Sequence, residues 1–353
     1  MVMSVDILSV QSLSHNVPQG LSLENVTFAV RADETICLLG RNGCGKTTLL
    51  QAIAGLLPID KGEIQLAGQT LSKSDQIVPP EQRQVGMIFQ DDVLFPHLTV
   101  TGNVAFGLYG QPDDDIARVC SEMLELLKID DVASRYPHEL SNEQRQRLSI
   151  ARALACEPKL LLLDEPFPGV DSQRRYHLIS ELRQILKRRH VAAIFAMHNR
   201  EDAFACADHL ILLEDGKIAQ QGYPSELFYR PVSRFVADFM GNTNYLPVTI
   251  MSDHQWQSVL GDHHANHPLN QPIDSTCDWM VRPLDVALAL DPDGTAHVED
   301  RLFTGTSNLY NVSLGELTIL VQTSNWFEPG QNVRLSIKTD QPVLFPVTPA
   351  TGE

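Results

Sequence analysis

Residues 40–48 read Gly-Arg-Asn-Gly-Cys-Gly-Lys-Thr-Thr and lie between an apolar run at 35–39 and a helix-like apolar run from Leu49. The spacing G-x-x-x-x-G-K-[ST] is that of a loop that wraps the phosphates of a nucleotide. Glycines let such a backbone turn and bring its N–H groups close to an anion, and the following helix N-terminus adds a positive partial charge. The nucleotide-binding candidates are therefore Gly40, Arg41, Asn42, Gly43, Cys44, Gly45, Lys46, Thr47 and Thr48. Lys46 is placed to reach the β- and γ-phosphates, and the Thr47 hydroxyl to ligate Mg²⁺.

A second apolar run, 159–163, ends in Asp164-Glu165-Pro166. A continuous apolar strand belongs in a parallel sheet buried on both faces. Carboxylates at its C-terminal end lie where open α/β sheets hold their ligands. Asp164 is placed to hold Mg²⁺, and Glu165 to orient and deprotonate an attacking water. Taken alone, the run is an acidic turn before a proline. The upstream lysine loop gives it the chemical reading.

These residues need a scaffold. Up to about residue 240, strand candidates at 35–39, 85–89, 159–163, 191–196 and 209–213 alternate with helical candidates at 46–54, 114–127, 144–155 and 172–188. The alternation predicts an α/β domain with a parallel core sheet between helices. Residues 63–66, before Gly68, predict an extra antiparallel strand. Past residues 240–248 the pattern changes to short strand candidates at 279–282, 286–290, 308–312, 317–321 and 333–338, punctuated by Gly and Pro. Short strands at close spacing predict a small β-barrel.

The 353 residues suffice for two domains. No stretch approaches about 20 consecutive apolar residues, so no membrane span is expected. The N-terminal residues lack a basic, cleavable leader pattern, so no signal peptide is expected. The 6 cysteines (Cys37, Cys44, Cys120, Cys156, Cys206, Cys277) form no C-x-x-C pair, which points to a reducing compartment. The formal net charge of −17 argues against nucleic acid as a partner.

With these motifs in this order, the chain resembles the ATP-binding subunits of ABC (ATP-binding-cassette) transporters over essentially its whole length. The resemblance implies a P-loop NTPase domain over 1–240, with a helical subdomain over about 91–158. It implies a C-terminal, OB-like small β-barrel regulatory domain over 241–353, and ATP with Mg²⁺ as cofactors. Gln90, closing Val85-Gly86-Met87-Ile88-Phe89-Gln90, matches the Q-loop glutamine that senses Mg²⁺ and the attacking water. Residues 140–147, followed by Ala151-Arg152-Ala153-Leu154, match the signature region, with Ser141 facing a partner's nucleotide. Asp171 matches the D-loop aspartate, and His198 the switch histidine that contacts the γ-phosphate. The family pairs head to tail, so a homodimer is implied, with two transmembrane permease subunits and a solute-binding protein. The chain would lie peripherally on the cytoplasmic face of the bacterial inner membrane. Val281-Arg282-Pro283-Leu284-Asp285-Val286 is similar to the V/I-R-P-E motif of importer regulatory barrels, with Leu284 where Glu is usual. Segments 94–100, 135–140, 226–231 and 343–346 are most similar to ferric-iron importer ATPases, and sugar, polyamine, sulfate and molybdate importers share several of them. Ferric iron is the expected cargo.

Three departures stand out. The signature glycines are replaced by Asn142 and Glu143. On one reading, a carboxylate about 5 Å from a phosphate charge costs about 3 kcal/mol at an effective dielectric of about 20 and slows turnover. That reading keeps open a low-activity, regulatory cassette. On the other, Ser141-x-x-Gln144 is a capping box, and Glu143 suits the start of a helix. The adenine-stacking aromatic is missing from 13–18, Leu-Ser-His-Asn-Val-Pro, which leaves His15 as the stacking candidate and Val17 as an apolar contact. His254 and the segment 262–267 are rich in metal-ligand types, but their spacing matches no metal motif, so a polar loop is expected.

Overall fold

The computed structural model describes residues 6–17, 20–90, 93–337 and 341–347. Expectations falling on Pro18, Asp91 and Lys338 lie outside the described residues. The chain divides into two compact units between Pro224 and Ser225.

In the first unit, the strands are β1 (Asp6–His15), β2 (Leu23–Arg31), β3 (Thr35–Leu39), β4 (Lys61–Leu66), β5 (Gln69–Lys73), β6 (Gln76–Ile77), β7 (Val85–Ile88), β8 (Leu160–Asp164), β9 (Ala192–Ala196), β10 (His209–Glu214) and β11 (Lys217–Gly222). The helices are α1 (Lys46–Ala54), α2 (Val100–Ala105), α3 (Asp113–Leu126), α4 (Asn142–Ala155), α5 (Ser172–Arg189) and α6 (Arg200–Cys206). One sheet runs β11-β10-β3-β9-β8-β7, parallel from β10 to β7 with β11 antiparallel at its edge. Strands β3, β8 and β9 are buried at every position, as unbroken apolar runs between layers must be.

This order decides where the chemistry sits. The loop at Gly40 follows β3, Asp164 ends β8, and Gln90 and His198 come two residues after β7 and β9. All four therefore emerge at one edge of one sheet. A second, antiparallel sheet, β2-β1-β4-β5-β6, was legible in the sequence only at residues 63–66. Its hairpin β1–β2 escapes a period-two reading because the register shifts between Val10 and Leu13, where Ser12 adopts φ 48.

The second unit is a small β domain. Helix α7 (Pro224–Tyr229) starts at the division and α8 (Arg234–Met240) follows it. Ala237 of α8 packs with Met280 and Phe345, which joins this helix to the strands beyond the composition change at 241. Strands β12 (Asn244–Ser252), β13 (Gln255–Ser258), β14 (Gly261–His264), β15 (Thr276–Val281) and β21 (Val343–Pro346) form a sheet in the order β14-β13-β12-β15-β21. Strands β16 (Val286–Leu290), β17 (Ala296–Phe303), β18 (Asn308–Leu314), β19 (Leu317–Thr323) and β20 (Asn332–Ile337) form another, β16-β20-β17-β18-β19. Both sheets feed one core: Ile250, Trp256 and Trp279 from the first, Tyr310, Val312 and Val333 from the second.

Part of the His-rich segment is not the polar loop expected: residues 262–264 lie in strand β14 of the β13–β14 hairpin, where His263 stacks on Trp256 at 5.3 Å and meets Trp279 at 4.8 Å, while His254 sits in a turn and residues 265–267 lie outside the strands. Aromatic packing across the pleat outweighs the polarity of the composition. Among the described residues, no group of three or more His, Cys, Asp or Glu side chains is poised to hold a metal.

Arg282 fastens this unit. It is 2% exposed and donates to the carbonyls of Ala237 (2.9 Å), Gly241 (2.8 Å), Asn242 (3.2 Å) and Phe228 (2.7 Å). Its guanidinium lies 4.3 Å from the Phe228 ring centroid. Carbonyls at and just past the ends of α7 and α8, Phe228 and Gly241 among them, thereby gain a buried donor. Arg282→Met strands them, and we expect a loss of about 3 kcal/mol in the unfolding free energy of this unit. Denaturant unfolding of the full chain, followed by Trp fluorescence, checks this.

Candidate nucleotide site

The phosphate-loop candidate is built by sterics. At Gly40 an added Cβ would lie 2.4 Å from Cys44 Sγ and 2.6 Å from the Leu213 carbonyl oxygen, so only glycine fits. Gly45 adopts φ 106 directly over Leu23, and no side chain caps the helix it opens. The N–H groups of the first turn of α1 are left for an incoming acceptor. Arg41, Asn42, Gly43 and Thr47 are exposed, Thr48 is half-buried, and Cys44 and Lys46 are buried. Lys46 Nζ donates to the carbonyls of Gly40 at 2.9 Å and Arg41 at 3.2 Å, which holds its ammonium inside the loop.

Asp164 is 4% exposed. Burial pushes its carboxyl up from the ordinary aspartate range; the Thr47 hydroxyl pulls it down, Glu165 pushes it up and Lys46 pulls it down. A hydroxyl and a carboxylate side by side are the hard-oxygen type of ligand that suits Mg²⁺. That ion commonly takes only one or two protein carboxylates and completes its shell with phosphate and water.

Glu165 gathers the other expected catalytic residues. Gln90 Nε2 donates to Glu165 Oε2 at 3.3 Å, and His198 Nδ1 lies 3.5 Å from Glu165 Oε1. The glutamate backbone is left-handed, at φ 45, and its N–H donates to the Ala196 carbonyl at 3.0 Å. Such a conformation costs a β-unbranched residue on the order of 1–3 kcal/mol and is held by its surroundings. A carboxylate so placed can take a proton from water. An imidazole and an amide at its flanks can orient that water.

Ser141 and Asp171 are helix N-caps. Ser141 Oγ accepts from Gln144 N at 3.3 Å, and Gln144 Oε1 from Ser141 N at 3.0 Å, closing the capping box before α4. Asp171 Oδ1 accepts from Arg174 N at 3.0 Å before α5. No hydrogen bond or ion pair among the described residues joins either to Gly40–Thr48. His15 pairs with Leu23 in the β1–β2 ladder, and Leu23 touches Gly45, so His15 lies close to the start of α1. Its Nδ1 is buried without a partner.

The helix-start reading of the altered signature describes how Asn142 and Glu143 sit within this chain, while the repulsion reading concerns a partner's nucleotide. Glu143 Oε1 lies 3.2 Å from Arg147 Nε, Arg147 Nη2 reaches Glu181 at 2.8 Å, and Lys128 pairs with the same glutamate. The added negative charge is therefore matched within its own helix turn.

One residue beside the site had no sequence signal. Arg83 is 1% exposed and donates to Ala52 O and Ile53 O at the end of α1, and also to Val78 O, Leu71 O and Ser72 Oγ. Burial lowers its guanidinium to about 10, so it stays charged at neutral pH. It clamps the far end of the phosphate-loop helix. A lone arginine before an apolar strand gives no hint of this.

The parallel sheet, the glycine loop at one strand end and the acidic pair at another define a P-loop ATPase core. Residues 23–168 match the model of the ABC transporter family. An Fe(3+) ions import ATP-binding protein of Rhizobium meliloti is 40% identical over 303 residues, 80% of this chain and 75% of the relative. A spermidine/putrescine import ATP-binding protein of Pseudomonas fluorescens is 37% identical over 86% of both chains. A sulfate/thiosulfate import ATP-binding protein of Burkholderia mallei is 39% identical over 80% of both. The solved structure of cbiO1 from Clostridium perfringens, part of the ABC transporter complex cbiONQ, superposes with a TM-score of 0.59 and 30% identity, covering 65% of this chain and 94% of that one. The chain belongs to the ABC transporter family, among its import ATP-binding subunits.

Two outcomes follow from this geometry. Lys46→Ala removes the cation inside the loop and is expected to abolish binding of a fluorescent ATP analogue. Glu143→Gln removes a charge already paired, so steady-state ATPase is expected to change by less than about twofold, with about 0.5 kcal/mol of stability lost. A several-fold rise in rate would restore the repulsion reading.

Proposed function

We propose that this chain hydrolyses ATP to drive import through separate membrane subunits, with Glu165 as the base that activates water. The observation that carries this reading is the meeting of Gln90 and His198 on the Glu165 carboxylate, at the same sheet edge as the Lys46 loop. Backbone N–H groups of Gly40–Thr48 and the Lys46 ammonium would take the β- and γ-phosphates. Thr47, Asp164 and Gln90 would hold Mg²⁺, which when bound neutralises charge developing on the phosphates. Glu165 would accept the proton of the attacking water, with Gln90 and His198 orienting it. His15 would lie against the adenine.

Ser141 and Asp171 sit at exposed helix starts within their own chain, which fits a head-to-tail homodimer in which each faces the partner's nucleotide. Two permease subunits and a solute-binding protein would complete the complex on the cytoplasmic face of the inner membrane. No helix among the described residues is long and apolar enough to cross a membrane. We assign residues 1–240 to a nucleotide-binding domain, with the helical subdomain over about 91–158, and residues 241–353 to a regulatory one; by packing, α7 and α8 go with the second compact unit, which begins at Ser225.

The assigned cargo is ferric iron, supported by the motif similarities and by the 40% identity to an Fe(3+) import subunit. Polyamine is the second reading, because the spermidine/putrescine relative aligns over more of both chains. Deleting the gene is expected to reduce ferric-iron accumulation several-fold and leave spermidine uptake intact, both read with radiolabelled substrates. Normal iron uptake with defective spermidine uptake would replace the cargo and leave the import reading standing.

A further inference from the structure

We propose that Arg175 and Asp202 are positioning residues whose ion pair sets the loop carrying Glu165 against the helix that follows His198. The inference deepens the ATPase reading above and rests on it.

Arg175 lies on α5, one turn past the Asp171 cap. Its Nε meets Asp202 Oδ2 at 2.7 Å, and its Nη1 donates to the Val170 carbonyl at 3.2 Å. One guanidinium thus holds the end of the 165–171 loop and a carboxylate on α6. Asp202 is tied in turn to the switch segment. Asn199, the residue after His198, caps α6 by accepting from the N–H groups of Glu201 at 2.8 Å and Asp202 at 3.2 Å. The loop between these anchors is not regular structure, and its unfavourable backbone has to be held by its surroundings: Glu165, Phe167 and Gly169 all have positive φ, at 45, 69 and 72. Behind it lies a cavity of about 210 Å³ that Glu165, Phe167, His198, Asn199, Arg175 and Asp202 help to line. Close packing does not fill this space, so the pair that spans it determines how far the loop and the histidine stand apart. Both partners are largely buried, with 20% and 11% of their side-chain surface exposed, so water screens the pair little. Burial holds the Asp202 carboxyl above its ordinary range, against the pull of Arg175.

The test is steady-state ATPase on the purified full chain, with equilibrium ATP binding measured alongside. Arg175→Met and Asp202→Asn are each expected to lower kcat at least about tenfold, since small misplacements of reacting groups cost that much. The ATP Kd should stay within about twofold, because neither residue touches the phosphate loop. The double variant removes both charges and strands neither, so it provides a folded test even if a single variant unfolds. Its kcat should be no lower than that of the worse single variant. Arg175→Lys should recover part of the rate. A kcat equal to the unaltered chain's, a double loss equal to the product of the single losses, or kcat and affinity falling together at an unchanged melting temperature would each overturn the pairing. Lack of hydrolysis by the unaltered chain would remove the ATPase reading and this inference together. Hydrolysis with unaffected variants removes this inference alone.

Discussion

The Glu165 carboxylate is the point on which the site depends. It stands on a left-handed backbone directly after a fully buried strand, where a non-glycine residue is costly. A backbone hydrogen bond to Ala196 holds it there, and Gln90 and His198 reach it from the neighbouring strands β7 and β9. The order β3-β9-β8-β7 makes this possible. It puts the phosphate-loop strand and the acidic strand on either side of the strand leading to the histidine, with the glutamine strand next to the acidic one. A parallel sheet sends all four chain ends to the same edge, so residues far apart in sequence meet without long loops.

Buried arginines fix the supporting elements, and each does so by donating to several carbonyls at helix ends. Arg83 takes carbonyls at the end of α1 within the first unit. Arg282 does the same for carbonyls at the ends of two short helices in the second. A planar fork of donors suits several carbonyls at once, and a buried guanidinium stays charged. The last turn of α1 contains no basic residue, so Arg83 supplies from elsewhere in the chain the positive charge that favours a helix C-terminus.

Much of the site could be read in the sequence, because its chemistry rests on local motifs. The glycine loop, the acidic strand end and the helix cap at Ser141 each follow from residue types at fixed spacing, and each stands where that spacing puts it. The core strands were legible because an unbroken apolar run has few alternatives. What stayed hidden depends on distant partners. The pairing of Glu143 with Arg147 follows helical spacing, but the relay to Glu181 joins two helices and leaves no local trace. The β1–β2 hairpin was concealed by a bulge, and the β13–β14 hairpin by a histidine, His263, that packs on tryptophan.

The central claim is that Glu165 performs the chemical step and does not merely bind. Single-turnover hydrolysis of ATP by Glu165→Gln, with the nucleotide Kd measured on the same preparation, tests it most directly. The amide keeps the shape and the hydrogen bonds but cannot take a proton at neutral pH. We predict that the Kd stays within about threefold while the hydrolysis rate falls by about 100-fold or more, as for loss of a general base. Hydrolysis at the rate of the unaltered chain would contradict the account and remove Glu165 from that role.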